Sequence, residues 1–145
     1  MKAIRTEVEV AASPERVWAI LSDFPAFPYW SPFVSKVDGR PSAGERLTVR
    51  LTPPGGRAMT FKPKILKAEA NRELRRLGRL AIPGLFSGEH SFTIEPPGPD
   101  RVRVVQAEDF RGLLVPLLSN SLDRDAKAGF AAMNEALKGR AEGKN

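Results

Sequence analysis

The chain has 145 residues, 41% apolar and 28% charged, with a formal net charge of +6 and a pI near 10.1; this suits one ordinary globular domain with a real core. Cysteine is absent, which excludes disulfides, thiol chemistry and a Cys/His metal site and suits a reducing cytoplasm, the expected location. No apolar run approaches the ~20 residues of a membrane span, so no transmembrane segment is expected.

The start, MKAIRTEVEV, alternates from the outset and lacks the apolar run of a signal peptide. Ile4, Thr6, Val8 and Val10 share one face and Arg5, Glu7 and Glu9 the other, which predicts a half-buried strand over 2–12. Ser13-Pro14-Glu15 is a helix start. The serine can cap free amides, the proline suits the first helical position, and the glutamate meets the positive end of the dipole. Val17, Ile20 and Leu21 give that helix its apolar side. The next stretch, FPAFPYWSPFV (24–34), holds five of the chain's eleven aromatic residues, interleaved with Pro25, Pro28 and Pro32. That many prolines forbid a continuous helix or a central strand, so only short helices are expected here.

From Val34 onward the pattern is strand after strand. Leu47, Val49 and Leu51 alternate with polar neighbours, and Met59, Phe61 and Ile65 follow at the same period. Further strands are expected over 71–82, 86–96 and 101–110. Asp38-Gly39, Pro53–Gly56 and Pro96–Asp100 punctuate them, which predicts an antiparallel meander. After Gly112 the period changes: Leu118, Leu122, Ala126, Phe130, Met133 and Leu137 form one apolar stripe of a long amphipathic helix. GRAEGKN at the end is expected to fray. The fold class is therefore α+β: a curved antiparallel sheet of about seven strands wrapped around a long C-terminal helix. One helix ~10 Å wide cannot fill the concavity of such a sheet. A cavity is expected to remain, with the Phe24–Phe33 segment as its apolar lid.

The positive charge is spread along the chain. Only RELRRLGR (72–79) resembles a cluster, and as a strand it divides its arginines between two faces. No phosphate-binding glycine loop is present, and no specific nucleic-acid partner is expected. A basic surface that docks on an acidic partner would bind with steep salt dependence.

Taken together, the Ser13-Pro14 helix start, YWSPF (29–33), IPGLFSGEHSF (82–92), QAEDFRGLLVPLL (106–118) and GFAAMNEALKGRAE (129–142) carry a resemblance. The chain resembles the polyketide cyclase/dehydrase and lipid transport branch of the START-like (SRPBCC, Bet v 1-like) superfamily, a helix-grip fold, over essentially its whole length. The resemblance implies a single domain over 1–142, with 143–145 as a tail, and a deep apolar cavity that holds hydrophobic small molecules. Ser31 stands where the branch often has asparagine, and Arg76 where an aromatic is common. Both positions bear on the pocket, so no ligand identity carries over.

Parity along the last strands places polar residues inside. His90 shares its face with Phe86, Phe92 and Ile94, and Gln106 and Glu108 share theirs with Val102, Val104 and Phe110. Pairing Ile94 with Val102 sets His90 opposite Gln106 and diagonal to Glu108. Pairing Leu80 with Phe86 sets Arg76 beside His90. An inward Glu108 requires a partner or a raised pKa. The group is either a satisfied ion pair that fixes register or a polar anchor at a cavity floor.

The expected function is the binding of a hydrophobic small molecule of lipid, polyketide or aromatic type. Trp30, Phe33, Met59, Phe61 and Leu80 would supply apolar walls, together with Phe92, Val104, Phe130 and Met133. Arg76, His90, Gln106 and Glu108 would supply polar contacts. The alternative is a cyclase or dehydratase in which Glu108 and His90 act as an acid–base pair. No cofactor or metal is expected, and the sequence leaves the oligomeric state open.

Overall fold

The computed structural model describes residues 1–52, 57–79 and 84–143. The first strand, β1 (Lys2–Val10), leads into helix α1 (Pro14–Ser22). Ser13 Oγ accepts from the amide of Arg16 at 3.1 Å, and Pro14 opens the helix, as the local sequence requires. Val17, Ile20 and Leu21 are its buried residues.

The aromatic–proline stretch folds as a 3₁₀ turn (Phe24–Ala26) followed by one α-turn, α2 (Phe27–Trp30). Each has a proline in its first turn, where the missing N–H is not needed. Phe24, Phe27 and Trp30 are buried, with successive ring centroids 6.0 and 4.9 Å apart. Tyr29 is 82% exposed.

The curved antiparallel surface is built from eight described strands divided between two sheets. β2 (Val34–Asp38), β3 (Thr48–Leu51) and β4 (Met59–Phe61) form the smaller one in that order. β5 (Lys64–Glu69), β6 (Glu73–Arg79), β7 (Ser87–Gly98) and β8 (Arg101–Arg111) join β1 in a sheet of order β1-β8-β7-β6-β5. The continuous strand read over 59–65 is broken at Pro63, which cannot donate to a ladder. An isolated bridge from Arg46 to Lys64, and the bonds Leu47 N to Pro63 O and Ile65 N to Glu45 O, both 2.8 Å, join the two sheets at that break. The turn expected at Pro53–Gly56 lies outside the described residues.

After Gly112 the chain is helical to Ala141: α3 (Val115–Ser121), a π-helical turn (Leu122–Ala126) and α4 (Lys127–Ala141). The helix packs on β1 and β8, and Met133, Asn134, Leu137 and Ala141 are its buried residues. Two apolar clusters result. The main one joins α1, the aromatic turns, both sheets and α4. A smaller one gathers Ile4, Phe110 and Val115 with Phe86, Leu122, Ala126 and Phe130 near the π turn.

Candidate functional site

Hydrogen-bond register lines up one row of inward residues across the five-stranded sheet. Ile4 on β1 faces Glu108 on β8, which faces His90 on β7, which faces Arg76 on β6, which faces Ile65 on β5. Ile4 belongs to the small cluster and Ile65 to the large one. The polar row therefore crosses the boundary between two apolar regions. The next row toward the main core runs Thr6, Gln106, Phe92, Leu74, and the next in the other direction Lys2, Phe110, Gly88, Gly78.

The expected facing of Arg76 and His90 is observed, although Leu80, used to set that register, lies outside the described residues. The β7–β8 register differs by two residues: Ile94 pairs with Val104, so His90 faces Glu108 directly and lies diagonal to Gln106. β7 continues through Pro96 and Pro97 to Gly98, with an irregularity between Glu95 and Gly98 that accommodates residues unable to donate. The turn shrinks to Pro99-Asp100.

Three residues of these rows, Thr6, Gln106 and His90, are joined by hydrogen bonds with Asn134 of α4. Thr6 Oγ1 donates to the Gln106 carbonyl at 3.3 Å, and Asn134 Nδ2 donates to Thr6 Oγ1 at 2.8 Å. Gln106 Nε2 donates to Asn134 Oδ1 at 2.7 Å and to the Phe130 carbonyl at 3.2 Å. That leaves Gln106 Oε1 as the acceptor for His90 Nε2, 3.1 Å away. The proton of a neutral His90 therefore sits on Nε2, and Nδ1 keeps its lone pair. Burial, with the Arg76 charge beside it, holds the His90 pKa down to about 3, against the pull of Gln106. The rings of Phe92 and Phe130 meet the imidazole edge-on at 4.9 and 5.4 Å.

Arg76 and Glu108 are not wired in this way. Both are half-buried, and neither has a hydrogen bond or an ion pair within 4.0 Å to any described residue. Burial lowers the Arg76 pKa from its ordinary value, opposed by the charge of Glu108. Burial raises the Glu108 pKa to about 7, opposed by Arg76 and reinforced by Asp109. The carboxylate rests against the backbone of Gly88, where any Cβ would collide with Oε2. Gly78 faces Gly88 across the strand pair. Its nearest contact for an added Cβ is Pro63 Cβ, 4.0 Å away. Two glycines thus thin the sheet floor next to the arginine and the acid.

The expected hollow is nearly closed. Phe24, Phe27, Val37, Leu74, Arg76, His90 and Phe92 enclose a cavity of about 10 Å³, the size of a single water. The remaining expected wall residues divide. Phe92 lines the cavity, Phe130 packs on His90, and Val104 is fully buried in the main core. Met133 is buried and its Sδ accepts from Ser31 Oγ at 3.1 Å. Phe33 is half-buried over the first turn of α4 near Gly129. Trp30 packs against Phe27 with the rings tilted by 54° and lines a surface cleft of about 260 Å³ with Arg16, Asp23 and Arg140 instead. Its Nε1 is buried without a partner among the described residues. Met59 and Phe61 are corrected outright. They are 46% and 37% exposed, because they sit on β4 at the edge of the small sheet, opposite Leu51 and Val49.

The family model for polyketide cyclase / dehydrase and lipid transport matches residues 1–142. The chain belongs to this family. Among solved structures, a START superfamily protein from Mycobacterium smegmatis is 27% identical, with 100% of each chain covered and a TM-score of 0.80. The Zhui aromatase/cyclase from Streptomyces sp. R1128 is 17% identical over 97% of this chain and 93% of its own, also at 0.80. A norcoclaurine synthase from Thalictrum flavum is 18% identical over 97% and 93%, at 0.75. The last two are similar in fold. A search of curated proteins gives no significant match. The chain is thus a START-like helix-grip protein of the polyketide cyclase/dehydrase family. Among its described residues no helix is long and apolar enough to cross a membrane.

Sequence reasoning passed over Asn134, Phe24 and Phe27 in this family member's site. Asn134 lies four residues after Phe130 and three before Leu137, on the apolar stripe itself, which was a usable signal. The sequence pattern places Phe24 and Phe27 in a lid rather than in the floor. The turns that carry them bring both rings under the sheet, so that they fill the space they were expected to cover.

Proposed function

We propose that this START-like chain binds a hydrophobic small molecule between its five-stranded sheet and the Phe24–Phe27 turns, with Arg76 and Glu108 as its polar contacts. One observation carries the reading. An arginine and a carboxylic acid face the interior in one row, on either side of His90, and neither has a partner among the described residues, while each side-chain donor of the neighbouring Thr6–Gln106–Asn134–His90 group has its acceptor. Desolvating charged groups without partners is costly, and a ligand would offset that cost. The filled cavity implies that the aromatic turns yield on binding. Short turns joined by prolines can move as a unit, and Phe27 is the residue that would leave. The family's name and the Zhui aromatase/cyclase agree with a small-molecule role without naming a ligand.

The test is native mass spectrometry of freshly expressed protein, followed by solvent extraction, and titration of tryptophan fluorescence with apolar probes. Bound apolar compound, or quenching of Trp30, is expected, and Phe27→Ala is expected to tighten probe binding by enlarging the cavity. A protein that extracts empty, and whose Phe27→Ala variant binds no probe, would not be a small-molecule binder.

A second reading, catalysis of the cyclase or dehydratase type, draws on the Glu108 pKa of about 7, near the optimum for general acid–base work at neutral pH. His90, held neutral with its pKa near 3, would then orient or accept rather than donate a proton. In this reading Glu108→Gln abolishes turnover and leaves affinity intact.

A further inference from the structure

The polar floor is specific enough to choose among apolar ligands. Arg76 brings a full positive charge and a fork of N–H donors to the interior, and no described residue accepts from it. His90 cannot compensate that charge, because it is neutral and its Nε2 proton is given to Gln106. Glu108 lies one strand further off, its carboxylate against Gly88, and makes no ion pair with the guanidinium within 4.0 Å. Beside Arg76 on the same strand, Gly78 leaves the inner face bare. An unpaired guanidinium next to bare backbone fits a planar acceptor with two oxygens. Apolar rings adjoin it on the other side: Phe24, Phe27 and Phe92.

We propose that Arg76 receives the carboxylate of an apolar acid, seated over Gly78, whose hydrocarbon body replaces the Phe24–Phe27 plug. This rests on the reading of the chain as a small-molecule binder. A neutral alcohol or amide of the same shape would leave the guanidinium without its counter-charge and bind more weakly.

A consequence follows for Glu108. A ligand carboxylate arriving beside it disfavours its ionised form, so the acid takes up one proton from solvent as the ligand binds. The charged and titratable groups facing Glu108 are few. Arg76 on β6 and neutral His90 on β7 share its row; Asp109 follows it in β8. On β1 its partner is Ile4, and Lys2 at that end is engaged with Asp123 at 2.7 Å. The elements that close over the row present Phe130 and Ala126, which do not titrate. Affinity for the acid is therefore level below pH 7 and falls about tenfold per pH unit above it.

The experiment is isothermal titration calorimetry of the whole chain with 2-naphthoate and with 2-naphthamide, its neutral isostere, between pH 6 and 8.5 in buffers of different ionisation enthalpy. The acid is expected to bind at least tenfold tighter than the amide at pH 6.5, with uptake of about one proton per site at pH 8. Arg76→Gln is expected to remove the preference for the acid over the amide. Glu108→Gln is expected to remove the proton uptake. Gly78→Val, which fills the bare floor on an ordinary strand, is expected to block the acid while circular dichroism shows an intact fold. Equal affinity for acid and amide, or an acid preference that survives Arg76→Gln, overturns the acidic-ligand inference while the small-molecule reading stands. Silence from both naphthyl compounds and from N-phenyl-1-naphthylamine overturns both.

Discussion

Two groups of polar residues lie within one strand spacing of each other on the concave face, and they are built on opposite terms. Thr6, Gln106, Asn134 and His90 form a closed chain in which each donor has its acceptor. Arg76 and Glu108 share the row of His90, are half-buried where it is buried, and are left without partners among the described residues. A satisfied buried network specifies and rigidifies a core. An unsatisfied one costs stability, and a fold that retains it does so where something else supplies the missing partner. The first group holds β1, β8 and α4 together; the second is where the molecule is unfinished.

Breaking the bonded group is expected to have the largest effect. Gln106→Leu orphans His90 Nε2–H and Asn134 Oδ1 at once, in a place 2% exposed. At 1–3 kcal/mol for each buried group left unpaired, the loss is about 4 kcal/mol, read from the midpoint of urea unfolding. A loss below about 1 kcal/mol would mean that water replaces the amide and that the contrast between the two groups is false.

The unpaired group is expected to respond with the opposite sign. Glu108 is an acid whose folded pKa lies near 7 against 4.5 in the unfolded chain. Its contribution is fully present below pH 4.5 and is lost as pH rises through 7. A shift of this size corresponds to about 3 kcal/mol at full burial, and its partial exposure reduces that to about 2. Glu108→Gln at pH 8 removes a charge the fold disfavours and keeps the side chain's shape, so the variant is expected to be about 2 kcal/mol more stable than the parent. Were Glu108 a structural partner of Arg76, the same change would destabilise; thermal unfolding at pH 8 separates the two.

How far the sequence foretold this contrast depends on which physical signal each residue carries. Strand parity needs only local alternation, and it placed His90, Gln106 and Glu108 inside correctly. It also set Thr6 among the apolar residues of β1, where its hydroxyl proves to be a network member. Register depends on where a hairpin turns. The prolines at 96 and 97 look like a turn, but the strand runs through them as an irregular edge to Gly98, so the facing pairs were displaced by two. Met59 and Phe61 have the right period and the wrong cover. Alternation says which residues share a face, whereas burial depends on what packs over that face, and an edge strand has less. The sequence points to a lid in the aromatic–proline stretch because one C-terminal helix cannot fill the concavity and the prolines forbid a second long one. They allow two short ones, and these carry Phe24 and Phe27 into the interior. The size of the cavity was never legible, since it depends on whether a few rings point in or out.

The smallest expected effect is a flat one, and it tests both groups together. His90 is a base whose folded pKa is held near 3 against 6.5 unfolded, so its contribution is fully present above pH 6.5 and is lost as pH falls toward 3. Between pH 4.5 and 6.5 the unfolded chain binds a proton at His90 that the folded chain refuses, and the folded chain keeps one at Glu108 that the unfolded chain releases. The two slopes are equal and opposite, near 1.4 kcal/mol per pH unit. Over that window the parent's stability is expected to vary by a few tenths of a kcal/mol. Each variant then uncovers one slope: Glu108→Gln loses stability as pH falls below 6.5, and His90→Gln gains it as pH falls from 7 to 4.5. Urea titrations every half pH unit measure all three. A parent that already slopes steeply in this window, or variants that slope the same way, would mean that the charges of the row are screened by water and that the floor of the site is open rather than buried.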